Sequence, residues 1–412
     1  MSEVPLNPID YSPDAVGPLQ GVRVLDLSRL ASGGHAGLVL ADLGADVVKV
    51  ERPGIGDEMR GAQIKGVATY WTVYNRNKRS IVVDLKSDEG RQLLLDILPQ
   101  FDALLENFRP GTLESLGLGP EVLLERNPKI VITRISGWGQ TGPYAHRPGF
   151  GTLAEAVSGF MIRNGYADRS PMPAPTALAD MIAGLYAACT TVAAVHHSRG
   201  GGDGQVVDVS LFEPMVSIMG PDALLDQLDR LPVRGEGTRA SSVKGIYECA
   251  DGLWVALSAG TEGIVRRVFT AIDAEDLLLD PRFSSYDARL RHQEDLNKII
   301  GVWVASRTRE DALAHLQGHG VTAGPLYAVS DARQDPHFRA RQVFVDVPGR
   351  EGEPETIAMH NVVPRMSATP SGIRRPAPLL GEDTVDVLIE AGLDEERIKS
   401  LMSAGVIGAV NG

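Results

Sequence analysis

Val22-Arg23-Val24-Leu25-Asp26-Leu27 and Asp46-Val47-Val48-Lys49-Val50-Glu51 are two short, mainly apolar runs that decide the fold of this chain. Each has the length and the Val/Leu content of a buried strand. Between them lie a glycine-rich turn over residues 28–37 and a helical segment over residues 38–43, which Gly44 ends. A strand, a helix and a second strand in this order predict a parallel pair inside an α/β domain.

Four further runs, at residues 81–85, 103–108, 130–135 and 204–211, have the same character and predict more strands of that sheet. Ligands of parallel sheets bind beyond the carboxyl ends of the strands. Each turn at a strand end is, by itself, best explained as an ordinary turn. Together these turns predict a composite ligand crevice. The first turn does not match GxGxxG, so a dinucleotide site is not predicted.

A change of composition divides the chain. Its 412 residues are enough for two domains. We predict a large domain whose N-terminal part is residues 1–225, a small domain at residues 226–330, and a C-terminal part, residues 331–412, that returns to the large domain. The last part contains two predicted helices, at residues 382–391 and 394–404.

The net charge of −13 makes a nucleic-acid partner unexpected, and an anionic ligand then needs local basic groups. One dense basic cluster exists, at residues 75–80, and it is either a solvated loop or a phosphate site. No metal-ligand spacing, signal peptide or apolar stretch of membrane-spanning length is apparent. Neither a metal nor a membrane partner is therefore expected. The two cysteines fit a reducing compartment, so the chain is expected to be cytoplasmic.

Asp180 follows a loop with three prolines and begins a segment in which apolar residues recur with helical spacing. Asp180, Gly184 and Ala188 share one stripe of that helix, so a ligand or another chain can approach closely. An ionised carboxylate at a helix start is a candidate covalent nucleophile. The alternative is an ordinary N-cap, which is the commoner role of Asp at such a position.

Taken together, these stretches resemble the class III CoA-transferases, the family of formyl-CoA transferase, carnitine CoA-transferase and 2-methylacyl-CoA racemase. The resemblance extends over nearly the whole chain from Gly21. No single motif is specific, but their shared order is. The segments that carry it are Asp26–Arg29, Ala41–Glu51, Asn77–Ser80, Glu106–Gly111, Gly137–Pro143, Ala179–Asp180, Gly204–Gln205 and Pro378–Thr384.

The resemblance implies an α/β fold with a Rossmann-like large domain, an inserted smaller domain and an interlocked dimer. It implies a CoA-transferase that moves CoA from an acyl-CoA donor, with succinyl-CoA as a candidate, to a carboxylic acid. Asp180 would form an aspartyl anhydride and then an aspartyl-CoA thioester. CoA is thus a substrate, and no tightly bound cofactor is implied. The residues that match the family's CoA and acyl site are Arg52, Asn77, Lys78, Arg79, Asn107, Phe108 and Trp138.

Two alternatives stay open within the family. A 2-methylacyl-CoA racemase needs a His and an Asp, but the matching stretch, Pro148–Thr152, contains no His. The chain can also be a mainly structural subunit of a heteromer instead of a homodimer. Ala31 replaces a Gln of formyl-CoA transferase, and residues 238–242 replace its glycine run. Arg239 there is either a partner for a substrate carboxylate or an ordinary surface residue.

Overall fold

The fold is described from a computed structural model, for residues 7–235 and 241–409. Arg239 therefore lies outside the described residues. The predicted α/β class is confirmed. The strands are β1 (Asn7–Pro8), β2 (Arg23–Asp26), β3 (Asp46–Glu51), β4 (Arg79–Val83), β5 (Ala103–Glu106), β6 (Val131–Ser136), β7 (Gln205–Ser210), β8 (Val243–Glu248), β9 (Trp254–Ala259), β10 (Ala323–Pro325), β11 (Phe344–Pro348), β12 (Thr356–His360) and β13 (Ile407–Gly408).

Within the described ranges, six of the α-helices have ten residues or more, and short 3-10 helices lie at Glu58–Arg60, Leu98–Gln100 and Glu275–Leu278. The α-helices are α1 (Leu30–Asp42), α2 (Thr69–Tyr74), α3 (Asp88–Ile97), α4 (Thr112–Ser115), α5 (Pro120–Arg126), α6 (Gly151–Val157), α7 (Phe160–Arg163), α8 (Leu178–Arg199), α9 (Phe212–Ile218), α10 (Asp222–Gln227), α11 (Glu262–Ala271), α12 (Tyr286–Arg291), α13 (Gln293–Ala305), α14 (Arg309–Gly318), α15 (Val329–Gln334), α16 (Pro336–Ala340), α17 (Thr384–Glu390) and α18 (Glu395–Ser403).

The chain forms two compact units. The first comprises residues 1–165, 170–223 and 339–412, and the second comprises residues 166–169 and 224–338. The boundaries expected from the sequence lie after residues 225 and 330. The second unit contains the antiparallel sheet β8-β9-β10, which packs with α11, α13 and α14 around its own apolar core.

The first unit is organised by a seven-stranded sheet in the order β13-β4-β3-β2-β5-β6-β7. All its strands are parallel except β13, which pairs antiparallel with β4. Apolar side chains from both faces enter two separate cores, one of which includes α1 and α8. The strand order reverses at β2, so the connections leave β2 and β5 in opposite directions and open a crevice at their carboxyl ends.

Helix α1 corrects one prediction. The glycine-rich segment expected to be a turn is helical from Leu30. Glycine lowers helix propensity, but here it permits close packing. A Cβ at Gly37 would lie 2.7 Å from Lys78 Nζ and 2.8 Å from Asp26 Oδ2. The glycines therefore serve the contact of α1 with the strand ends and do not form a turn.

Helix α8 corrects a second one. The sequence predicts no apolar stretch of membrane-spanning length. Helix α8, with 22 residues, is nevertheless long and apolar enough to cross a membrane, judged by length and composition alone. Its small residues face α1 and the sheet: Ala183, Gly184, Ala187 and Ala188 are buried, and the helix packs against α1, β6 and β7. It is thus a core helix of the first unit, which positions Asp180 at the sheet edge.

Candidate active site

A cavity of about 500 Å³ lies at the carboxyl ends of β5 and β6, between the starts of α1, α6 and α8. Every residue of its lining belongs to the first unit. No histidine is among these described lining residues, which leaves the racemase alternative without its second acid–base group. The lining residues are Arg29, Leu30, Ala31, Ser32, Asn107, Phe108, Arg109, Thr112, Ile135, Ser136, Gly137, Gly149, Phe150, Asp180 and Leu211.

Asp180 lines this cavity, but it is not the N-cap of its helix. Helix α8 begins at Leu178 with Ala177 as the N-cap residue, so Asp180 is its third residue. Its carboxylate lies against the backbone of Gly151 at the start of α6, where a Cβ would overlap Asp180 Oδ2. The N-cap interpretation is therefore wrong, and the carboxylate is free to face the cavity.

Burial, as the larger cause, and the neighbouring carboxylate of Glu155 together raise the pKa of Asp180 from 3.8 to about 6. Glu155 is only 3% exposed. One of its oxygens accepts a hydrogen bond of 3.3 Å from Ala179 N, in the first turn of α8. Asp180 is thus still ionised at neutral pH but more basic than a carboxylate in water, which favours nucleophilic attack.

The small residues that follow Asp180 on its stripe have a different use from the one expected. A Cβ at Gly184 would lie 2.8 Å from Ser32 O and 3.1 Å from the His35 ring. The neighbour that Gly184 admits is therefore helix α1, and Ala188 is buried as well. The stripe brings the start of α1 close to Asp180 and leaves no channel for a ligand.

Asn107 and Phe108 lie where the sequence analysis expects them, at the end of β5 and in the wall of the cavity. Asn107 Oδ1 accepts from Arg29 N at 2.7 Å, and Asn107 Nδ2 donates to Arg29 O at 2.5 Å and to Ser32 Oγ at 3.4 Å. Its amide is thus fully engaged in holding the segment that enters α1. Phe108 contributes a half-buried ring.

Arg52 lies beside this site. It lines a small neighbouring cavity of about 40 Å³ that shares Arg29 and Phe108 with the large one. Arg52 Nη2 donates to Glu58 Oε1 at 2.8 Å, and Arg29 also pairs with Glu58. Two guanidinium groups therefore share one carboxylate, which leaves a net positive charge at the entrance for an anionic ligand.

Asn77 and Lys78 are buried in the interior. They therefore form neither the solvated loop nor the accessible phosphate site that the sequence predicts. Lys78 is 0% exposed, and its Nζ contacts Asp26 Oδ2 at 3.2 Å and Gly34 O at 3.0 Å. Asn77 is 4% exposed and donates to Asp42 Oδ1 at 2.7 Å. Neither residue lines the large cavity, so their contact with CoA stays a prediction without geometric support.

Arg79 points to a different part of the unit. It makes a bidentate pair with Glu390 at 2.7 and 2.9 Å, and it lies 3.6 Å from Asp46 and 3.8 Å from Asp383. These contacts tie the start of β4 to α17. Arg79 is also absent from the lining of the large cavity, and its predicted role in CoA binding is untested.

Trp138 stands behind the cavity wall. Its Nε1 donates to Pro148 O at 3.1 Å, and its ring lies 5.7 Å from that of Tyr144. A Cβ at Gly149 would lie 3.0 Å from Trp138 Nε1. Trp138 therefore supports Gly149 and Phe150, which do line the cavity, and it is not itself among the lining residues.

Four polar residues of the site were missed by the sequence analysis as site residues: Arg29, Arg109, Ser136 and Glu155. Arg109 is exposed, lines the cavity and makes no ion pair within residues 7–235 and 241–409. Ser136 is 6% exposed, and its hydroxyl has no hydrogen-bond partner in the part of the chain that the structure describes. Arg109 and Ser136 each directly follow a predicted strand, so their positions could have indicated the site. No such signal marks Glu155.

No group of three or more His, Cys, Asp or Glu residues in the described ranges is arranged to hold a metal ion. Cys189 and Cys249 are free thiols. The polar groups of the cavity are instead the Asp180 carboxylate, hydroxyl groups, an amide and guanidinium groups at its edge. That arrangement suits covalent acyl transfer from a large anionic substrate.

Comparison with known proteins agrees with this chemistry. Residues 19–384 match the model of CoA-transferase family III. Over 396 residues, 95% of this chain and 98% of the relative, 38% are identical to the succinyl-CoA–D-citramalate CoA-transferase of Chloroflexus aurantiacus. The succinate–glutarate CoA-transferase of Agrobacterium fabrum is 34% identical over 92% of this chain and 96% of its own.

A solved structure gives the same result for the fold. The crystal structure of a CAIB/BAIF family protein from Brucella suis superposes with a TM-score of 0.79 at 31% identity. The match covers 91% of this chain and all of that one. The similarity therefore includes both units of the chain and not only the sheet.

Proposed function

The chain belongs to CoA-transferase family III and is an enzyme of that family, and we propose that it moves CoA from succinyl-CoA to a second dicarboxylic acid through Asp180. The names of the relatives support this choice of substrates, because they include transferases that use succinyl-CoA or succinate with citramalate or glutarate. The observation that carries the mechanism is the Asp180 carboxylate against Gly151 in the wall of the cavity.

The reaction proceeds in balanced steps. An Asp180 oxygen attacks the thioester carbonyl, the C–S bond breaks, and an aspartyl–acyl anhydride and the CoA thiolate form. The thiolate then attacks the Asp180 carbonyl, so the first acid leaves with one oxygen of Asp180. The second acid attacks the resulting aspartyl-CoA thioester and forms a new anhydride. The thiolate finally attacks the acyl carbonyl and frees Asp180, which now carries an oxygen of the second acid.

Positive groups at the edge of the cavity are suited to CoA. Arg109 lines the cavity without an ion pair among the described residues, and Arg29 and Arg52 share Glu58 beside it. We assign the CoA phosphates to these three guanidinium groups, because Arg binds phosphate with paired hydrogen bonds. The side of the cavity formed by Asn107 and Phe108 then receives the pantetheine arm.

The architecture of the active protein is part of the proposal. The order β4-β3-β2-β5-β6-β7 supports the description of the large unit as Rossmann-like. We propose an interlocked homodimer in the cytoplasm. A heteromer with a homologous chain is the alternative, since relatives named as alpha and beta subunits of a succinyl-CoA–L-malate CoA-transferase are 35% identical to this chain.

Isotope transfer tests the proposed function. The purified enzyme is incubated with succinyl-CoA and with glutarate labelled with 18O in its carboxylates. We expect glutaryl-CoA and succinate as products, and, after a single turnover, one 18O atom in the peptide that contains Asp180. Formation of free CoA and succinate alone, with glutarate and every other acid supplied, would contradict transfer. Product formation without label in that peptide would contradict the covalent role of Asp180.

A further inference from the structure

Glu155 is the acidic residue next to Asp180 that the mechanism above does not use. It lies on α6, 3% exposed, and its Oε1 accepts from Ala179 N at 3.3 Å. The first N–H groups of a helix have no partner inside the helix, and the N-cap residue of α8, Ala177, offers no side-chain acceptor. Glu155 supplies that acceptor from another helix, one residue before Asp180.

The charge of Glu155 has no counter-ion in the neighbourhood. Among the residues that the structure describes, no Lys, Arg or His forms an ion pair with Glu155, whose carboxylate accepts instead from Ala179 N. Burying a carboxylate without a partner cation destabilises a fold. A Gln would keep the hydrogen bond to Ala179 N and avoid that cost. The retained acid therefore points to a role in the chemistry at Asp180.

We propose, on the basis of the function proposed above, that Glu155 is a positioning residue that destabilises ionised Asp180 relative to its covalent, neutral forms. Its hydrogen bond holds the first turn of α8, and its negative charge acts on the neighbouring carboxylate. Ionised Asp180 and Glu155 repel each other in the resting enzyme. In the anhydride and the aspartyl-CoA thioester, Asp180 carries no charge and the repulsion is gone.

The consequence is a shift in one equilibrium. In the first half-reaction, Asp180 carboxylate and succinyl-CoA give aspartyl-CoA enzyme and succinate, with one C–S bond broken and one formed. Glu155 raises the free energy of the left side only, so it increases the fraction of enzyme present as aspartyl-CoA. A tenfold change in the proton affinity of Asp180 corresponds to a tenfold change in this equilibrium, because both processes remove the same charge.

Other groups around α8 leave this effect of Glu155 uncompensated. The His35 ring on α1 has a pKa lowered by burial, so it is neutral at physiological pH. Thr133 of β6 forms a hydrogen bond with Thr191 of α8, and neither residue is charged. Two charged residues of elements packed against α8 are already paired: Asp42 on α1 with Arg76, and Arg134 on β6 with Glu106 and Glu114. Other charged groups near α8 are Arg29 and Arg109 at the cavity edge, Asp208 on β7, which accepts from Gln140 N, and Glu213 on α9, which accepts from Ser210 Oγ.

The test is Glu155→Gln in the full-length enzyme, since the amide oxygen can still accept from Ala179 N. Two quantities are measured: the acid limb of kcat/KM against pH, which reports the pKa of the free enzyme's essential base, and the ratio of aspartyl-CoA to free enzyme at fixed succinyl-CoA and succinate, by mass spectrometry. We expect the limb to move from about pH 6 to lower pH and the ratio to fall about three- to tenfold, as a like charge nearby is removed.

Glu213→Gln is the matched control, because it also keeps an amide oxygen as acceptor, for Ser210, and we expect both quantities to stay at their wild-type values. Glu155→Gln with an unchanged limb and an unchanged ratio would overturn the proposal. If Glu155→Gln unfolds, Glu155→Asp, which keeps the charge, should restore both wild-type values, and failure to do so would also overturn it. A wild-type enzyme that never forms aspartyl-CoA would instead refute the proposed function.

Discussion

Replacement of Asp180 by Asn should abolish transfer and, at neutral pH, make the protein more stable. The Asn amide is close in size to the carboxylate but cannot form the anhydride, so the covalent pathway ends. The gain in stability follows from the position of Asp180, which is partly buried with the buried carboxylate of Glu155 beside it. Removal of an ionised group from this position lowers the free energy of the folded state and so increases the free energy of unfolding.

The magnitude follows from the raised pKa, which is about 6 against 3.8. Between these two pH values the folded protein binds more protons at Asp180 than the unfolded chain, so stability falls as pH rises. Above pH 6 the full destabilisation is present, about 3 kcal/mol at 1.36 kcal/mol for each tenfold change in proton affinity. The negative charge also gains about 0.3–1 kcal/mol at a helix start, and burial of the amide has its own cost. We expect a net stabilisation of about 1–2 kcal/mol from Asp180→Asn.

The assay is urea unfolding of wild type and Asp180→Asn at pH 7.5 and at pH 3.5, which is below the pKa of the carboxyl group in both the folded and the unfolded state. The variant should be more stable at pH 7.5, and the difference should largely vanish at pH 3.5. Binding of CoA, measured by calorimetry, should be retained. A variant that is less stable than wild type at pH 7.5, or that differs equally at both pH values, would refute the electrostatic reasoning about this site.

Three further predictions concern the surroundings of Asp180. Gly151→Ala should lower kcat about tenfold or more, because the added methyl overlaps Asp180 Oδ2 and misplaces that carboxylate. The control is Gly263→Ala, at a helical glycine with open space around it. This variant should leave kcat unchanged and gain about 0.5–1 kcal/mol of stability. Arg79→Ala should lower the free energy of unfolding by about 1 kcal/mol through loss of its partly exposed pair with Glu390, with the Kd of CoA unchanged, whereas a clear rise in Kd would restore its predicted phosphate contact. Asn107→Ala should raise the KM for acyl-CoA and cost about 1–3 kcal/mol, because the Arg29 backbone groups lose their partners; equal KM values would show that the cavity keeps its shape without this amide.

The interior positions of the basic cluster show how far sequence reasoning can go. Asn77 and Lys78 read as a solvated or phosphate-binding loop, because a chain rarely buries such residues. The carboxylates that accept their hydrogen bonds, Asp42 and Asp26, lie more than thirty residues earlier in the chain. The burial of the cluster was decided by the approach of α1 to β4, which glycines permit, and no local pattern announces a partner supplied by another element.

By itself, the sequence predicted the parallel sheet and its flanking helices, and it singled out Asp180 as the candidate nucleophile. The apolar runs at β2, β3 and β6 contain enough β-branched residues, and the run at β5 is apolar enough, to predict strands. The ordered motifs along the chain indicate the family, and with it the candidate Asp180. Only the tertiary structure placed Glu155 beside Asp180, twenty-five residues away along the chain. Hydrophobic periodicity is a local property that short segments carry, whereas the electrostatic environment of a carboxylate depends on groups that only packing brings together.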